Sequence, residues 1–213
     1  TPKIIAILGS PIPDGNTARL LNRAVQGAED AGCVVERVDV SSLRFRPCME
    51  IFQCLHIDEC AIEDDVTPYY RKFREMDGLI VAAPVMTMGI PGALKSFMDR
   101  FQVFFNAKYM RRRPLVSSEH KKRRRTLFIS IGGMDIENDF DCSVTSMKAF
   151  CDIIDCPYWG DVLQNNMDAI KDIATRPDVM QAAYEKARTM CTLIRNDMPG
   201  APRGPPAGGR SER

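Results

Sequence analysis

Five short aliphatic runs, at residues 3–8, 34–40, 77–83, 126–131 and 157–163, alternate along the chain with stretches of helical periodicity. No other feature of the sequence limits its fold as much. A run such as Lys3-Ile-Ile-Ala-Ile-Leu8 lacks the polar alternation of a half-exposed strand, so it reads as a strand covered on both faces. In the second run Val34, Val38 and Val40 fall on one side. Between the runs, Leu20, Leu21, Ala24, Val25 and Ala28 share one helical face. Leu94, Phe97, Met98, Phe101 and Phe105 do the same after Pro91, a residue suited to a first helical turn. Further helices are expected at 144–154 and 176–196. Helical crossovers require parallel strands, and their right-handedness puts helices on both faces of one sheet. The expected fold is α/β, a doubly wound five-stranded parallel sheet in the order 2-1-3-4-5. Its ligand crevice belongs at the carboxyl ends of strands one and three.

One domain over residues 1–196 accommodates this pattern, with a cysteine-bearing insertion at about 44–66. Residues 197–213 are rich in Gly and Pro and hold no large apolar residue beyond Met198, so a flexible tail is expected there. Lys and Arg number 29 against 28 Asp and Glu, a formal net charge of +1, which gives no bulk-charge argument for nucleic acid or membrane as a partner. The apolar runs are too short to span a bilayer. No cationic start with an apolar stretch and a small-residue cleavage site is visible, and a cytoplasmic location is expected.

Three segments would line the crevice. Loop one, residues 9–17, offers Ser10, Asn16, Thr17 and the Ala18 N–H as donors at a helix start, a setting that suits a phosphate. It contains no Lys or Arg and is neither a Walker loop nor a G-x-G-x-x-G turn, and an ordinary N-cap explains it as well. Loop two, residues 84–92, places Pro84, Val85, Met86, Thr87, Met88 and Gly89 at the switch point and is unusually apolar for a loop. Such side chains suit a flat aromatic ligand, or else they pack on the core. Loop three begins with Gly132-Gly133, where backbone can approach a ligand closely or simply turn.

Together, Gly9-Ser10 with Gly15-Asn16-Thr17, the strand-ending Ala82-Ala83-Pro84-Val85 and the helix Pro91-Gly-Ala-Leu-Lys-Ser-Phe-Met-Asp-Arg100 resemble the NAD(P)H-dependent FMN reductase group of flavodoxin-like proteins. The cysteine segment, from Pro47 to Asp65, narrows the resemblance to its iron–sulfur flavoprotein branch. The resemblance implies that loop one, with Ser10, Ile12, Asn16, Thr17 and Ala18, holds the FMN phosphate. Loops two and three would hold the isoalloxazine ring. Met86 stands where many relatives carry an aromatic residue, which changes how the ring is covered. Lys95, Asp99 and Arg100 read as fold or interface charges. The resemblance also implies a homodimer or homotetramer.

Cys48, Cys54 and Cys60 fit three positions of the branch's cysteine pattern, and Ile51 occupies the fourth. A [4Fe–4S] cluster ordinarily takes four thiolates. A cluster on three thiolates with an open iron or a fourth ligand from Glu50, His56 or Asp58, a segment without metal, and a zinc site with His56 all remain open. The other cysteines, at 33, 142, 151, 156 and 191, read as small buried hydrophobes. Residues 108–125 hold nine Lys or Arg against one Glu and read as a solvated loop or a docking patch for an acidic partner. His56 and His120 are isolated in the sequence, with no carboxylate or nucleophile beside them.

The function expected is an FMN-dependent oxidoreductase. It would take electrons from NAD(P)H or a reduced protein donor and pass them to a second acceptor, the expected partners being a small-molecule substrate or a redox protein such as ferredoxin. The competing class is a non-enzymatic flavin electron carrier. The cofactor would carry the chemistry, and no side chain is assigned as catalytic.

Overall fold

Alternate side chains of the first strand, β1 (Lys3–Leu8), enter two separate cores, as its unbroken aliphatic sequence requires. Ile4, Ala6 and Leu8 face one helical layer, Ile5 and Ile7 the other. The computed structural model describes residues 1–200, so most of the tail expected at 197–213 lies outside the described residues. After β1 come α1 (Asn16–Asp30), β2 (Val34–Asp39), α2 (Thr67–Glu75), β3 (Gly78–Pro84), α3 (Gly92–Asp99) and α4 (Gln102–Phe105). The chain continues through α5 (Ser118–Arg123), β4 (Arg125–Ile131), α6 (Asp141–Ile153), β5 (Tyr158–Gln164), α7 (Met167–Ile170) and α8 (Pro177–Asn196). All strand pairs are parallel, in the order β2-β1-β3-β4-β5. The expected doubly wound topology is the one observed.

Helices α1 and α8 cover one face of the sheet, with Leu20, Leu21, Ala187, Met190 and Ile194 fully buried. On the opposite face α2, α3, α4 and α6 enclose an aromatic cluster. Phe101 sits at its centre, with ring centroids 4.3 Å from Phe73, 5.3 Å from Phe97 and 5.4 Å from Phe150.

Several local expectations are corrected. Val34 begins the edge strand and is 61% exposed, while Val38 and Val40 are buried as expected. The helix after Pro91 does not run through to Phe105. It divides at Arg100, and a π-helical turn at Asn106–Met110 follows α4. Phe104, not Phe105, is therefore the buried ring there. Cys142 lies exposed on α6, unlike the other four scattered cysteines.

The basic segment is solvated at Arg112, Arg113 and Lys122, as expected, but it is not all loop and most of its cations are paired. It contains α5, and Lys108, Arg111, Arg113, Lys121, Lys122, Arg123 and Arg125 each reach a carboxylate. Arg124 is buried with its guanidinium on the Ile154 and Phe73 carbonyls at 3.1 and 2.7 Å. His120 also has a carboxylate neighbour after all, because Asp77 Oδ1 lies 3.1 Å from its Nε2. The sequence hid that pairing, since 43 residues separate the two. This cluster sits at the amino-terminal edge of the sheet, away from the crevice. Burial disfavours the charged form of Asp77. Hydrogen bonds from His120, the Lys3 N–H and Arg123 outweigh that effect and hold its pKa at about 2. No helix among the described residues is long and apolar enough to cross a membrane.

Candidate functional site

Hydrogen bonding continues from the strands into the loops and so fixes where the loops start. The Gly9 N–H donates to Ala82 O at 2.8 Å, Val85 N–H to Ile131 O at 2.8 Å, and Gly132 N–H to Gln164 O at 2.9 Å. Loops one, two and three therefore leave neighbouring strands β1, β3 and β4 at one edge of the sheet. At ordinary strand spacing they lie within about 10 Å of one another.

Loop one ends at α1, whose N-cap is Gly15 and whose first turn carries neither a capping side chain nor an acidic residue. The N–H groups of Asn16, Thr17 and Ala18 thus have no acceptor one turn back. The helix dipole adds partial positive charge at the same place. Ser10 is buried and its Oγ accepts from the Ile12 N–H at 3.1 Å, which curls the loop and leaves the hydroxyl proton available. Asn16 has a bracing role that the sequence did not show. Its Nδ2 donates to Lys171 O at 2.8 Å, and its Oδ1 accepts from the Ile173 N–H at 3.2 Å. It ties loop one to the segment after α7 and keeps one N–H in reserve.

Loop two folds into a tight hairpin in which Met86 and Gly89 exchange backbone hydrogen bonds of 2.8 and 3.1 Å. Both central residues, Thr87 and Met88, have positive φ, 50° and 61°. Asn or Gly usually fills such a turn, so Thr and Met hold it under local strain. Loop three is stapled to α7 through Met167 N–H to Gly132 O and Asp168 N–H to Gly133 O, each 3.0 Å. A β-carbon at 132 would run into the buried Asp139 carboxylate, and one at 133 would fall 2.8 Å from Asp168 Oδ1, whose exposed side chain can give way.

Each loop leaves one large apolar side chain in the open: Ile12 at 57%, Met86 at 49% and Met134 at 48% exposure. Donors for one phosphate at α1, beside apolar tips that could cover a flat ring, match the chemistry of a flavin mononucleotide. Pro84, Val85, Met88 and Gly89 are half-buried and form the wall between these tips.

The cysteine segment runs from the end of β2 to α2 and packs along α3 and α4. Arg100, the last residue of the Pro-Gly-Ala-Leu-Lys-Ser-Phe-Met-Asp-Arg motif, secures it. Its side chain is fully buried and donates to Asp64 at 2.5 Å, Arg46 O at 2.8 Å, Ile62 O at 3.0 Å and Cys60 Sγ at 3.7 Å. Burial pushes the Asp64 carboxyl up, but hydrogen bonds from Arg100, Arg46 N–H and Val66 N–H win and hold it below the usual carboxylate range. Lys95 and Asp99, from the same motif, form an exposed pair one turn apart.

Cys48, Cys54 and Cys60 all line one apolar cavity of about 340 Å³, together with Ile51, Phe105 and Met110. Asn106, on the π turn, donates to Cys54 Sγ at 3.1 Å. Glu50 and Phe52, flanking Ile51, are both held at positive φ. Among the described residues no three His, Cys, Asp or Glu side chains converge to hold one metal ion. The zinc alternative with His56 therefore lacks its geometry.

The family model described as NADPH-dependent FMN reductase matches residues 2–135. An iron–sulfur flavoprotein of Methanosarcina thermophila is 37% identical over 98 residues, which cover 46% of this chain and 51% of that protein. One from Methanocaldococcus jannaschii is 36% identical with the same coverage. The chain thus spans about half the length of these curated relatives. Among solved structures, an NAD(P)H:quinone oxidoreductase from Methanothermobacter marburgensis superposes with a TM-score of 0.66, at 16% identity over 89% of this chain and 97% of that one. At that identity the likeness shows the fold alone.

Proposed function

This chain belongs to the NADPH-dependent FMN reductase family, and on that premise we propose that it is an FMN-dependent oxidoreductase moving electrons from a reduced nicotinamide or a reduced redox protein to a second acceptor. The observation that carries the reading is the pairing of free N–H groups at α1 with one exposed apolar side chain on each of three adjacent loops. When bound, FMN would supply the electron chemistry, accepting a hydride or single electrons. The Ser10 and Thr17 hydroxyls and the N–H groups of Asn16, Thr17 and Ala18 would take the phosphate. Asn16 would keep loop one in place, and Ile12, Met86 and Met134 would shield the ring from water. Pro84, Val85, Thr87, Met88, Gly89, Gly132 and Gly133 would shape its walls.

The cysteine cavity supports a second element of this reading, a [4Fe–4S] cluster on Cys48, Cys54 and Cys60. One ion needs all its ligands in a single coordination sphere, whereas a cluster spreads thiolates over separate irons. The N–H donors on Cys54 and Cys60 are of the kind that tune such sulfurs. Ile51 leaves one iron without a thiolate from the family's fourth position. Ferredoxin as donor, a homodimer or homotetramer, and a cytoplasmic setting that keeps all eight cysteines free complete the proposal.

Anaerobic mixing of the FMN-loaded chain with NADPH, NADH or reduced ferredoxin, followed in the visible flavin band, tests the donor. Bleaching by a nicotinamide alone supports a reductase. Bleaching by ferredoxin alone favours the iron–sulfur branch of this reading or the carrier alternative.

A further inference from the structure

Asp139 is an acid without a partner among the described residues, at the edge of the crevice. It lies between loop three and α6, is 1% exposed, and neither carboxyl oxygen accepts a hydrogen bond from a described residue. The hydroxyl of Ser143, on the first turn of α6, is likewise buried and unpartnered. Buried polar atoms are rarely left this way, and exceptions gather where a ligand or a proton belongs. The position is close-fitting, because Asp139 Oδ2 occupies the space that a β-carbon on Gly132 would need. The acid is thus pressed against the backbone of the loop that would carry the ring.

The charge that acts on it has its own sign: Asp168, at the start of α7, sits behind the neighbouring Gly133. Asp135, Glu137 and Asp141 belong to the same acidic stretch of sequence. Burial first, and then the Asp168 carboxylate, raise the pKa of Asp139. A neutral acid here tolerates the negative charge that a flavin gains on accepting a hydride, whereas an ionised one repels it.

We propose that Asp139 is a proton-carrying group of the flavin site, a buried acid behind loop three whose protonation state sets the potential at which a bound flavin is reduced. The inference rests on the FMN reading given above. Reduction draws a proton onto Asp139 between the pH at which it ionises beside oxidised flavin and the higher pH at which it ionises beside reduced flavin. Over that pH range one extra proton accompanies each two-electron reduction. This is a tenfold change in the equilibrium per pH unit, or about 30 mV. Exposed Asp168 sets where that range lies.

The test is the midpoint potential of the FMN-loaded chain against pH, for wild type, Asp139→Asn and Asp168→Asn, with FMN affinity measured by fluorescence quenching. Wild type should show a segment steeper by about 30 mV per pH unit. Asp139→Asn should lack that segment, and Asp168→Asn should move it to lower pH. Infrared difference spectra on flavin reduction provide an independent reading should Asp139→Asn fold poorly. A protonated-carboxyl band should grow in wild type at pH values within the steep segment, and in Asp168→Asn only at lower pH. FMN bound with unchanged affinity, an identical pH profile in all three proteins and no carboxyl band would overturn the role of Asp139. Wild type that binds no FMN would overturn the flavin reading itself.

Discussion

Replacing Arg100 by Met tests how the cysteine segment is held. Arg100 is the one long cation that reaches from the α3–α4 junction into the segment, and it contacts four acceptors there. The Asp64 bond is charge-assisted and contributes about 1.5–3 kcal/mol, and each carbonyl bond adds about 1 kcal/mol. Their sum matches the roughly 3–5 kcal/mol lost when one partner of a buried ion pair is removed. Urea unfolding of Arg100→Met should therefore shift by that amount. Asp64→Asn and the double variant complete a cycle whose coupling should be at least about 1.5 kcal/mol. Hydrogen exchange should show amides between 44 and 66 losing protection before the sheet does, and alkylation of Cys60 should accelerate. Coupling below about 0.5 kcal/mol, the scatter expected of independent sites, would refute the account. So would unchanged protection of the segment.

Three other outcomes follow from the geometry. Asp77→Asn should cost about 2 kcal/mol at neutral pH, because a depressed carboxylate pKa stabilises the fold above its ordinary value near 3.8 and stops doing so as pH falls through about 2. Urea midpoints of variant and wild type should converge near that lower limit. Thr17→Ala should weaken FMN by about 1.5–3 kcal/mol, the worth of one charge-assisted bond, and Asn16→Ala should add to that by loosening loop one. Isothermal titration should show riboflavin less affected. Ile51→Cys should slow the bleaching in air of a cluster reconstituted on Cys48, Cys54 and Cys60, followed by visible absorbance, with stoichiometric iron and sulfide as the control.

The sheet was legible because buried parallel strands need continuous aliphatic runs, and five such runs are plain in the sequence. Val34 misled because an edge strand can leave a valine at its end in solvent. The break at Arg100 was hidden because Phe101 and Phe105 continue the helical period across it, while the π turn at Asn106–Met110 resets the face. The three crevice loops could be read from their Gly, Pro and hydroxyl residues. The bracing role of Asn16 could not, since its partners lie 155 and 157 residues away. The same holds for most of the basic segment, whose carboxylate partners Asp58, Asp77, Asp152, Asp155 and Asp197 come from four other regions of the chain. Asp139 gave no signal either. It is one acid in an acidic loop, and only burial against Gly132 distinguishes it.

Titration of the flavin-free chain with FMN and with riboflavin, followed by quenching of flavin fluorescence, tests the central claim most directly. The account predicts saturation at one FMN per chain and much weaker binding of riboflavin, because the phosphate meets free N–H groups at α1 and the ring meets Ile12, Met86 and Met134. Absence of quenching, or equal affinity for the two ligands, would contradict it.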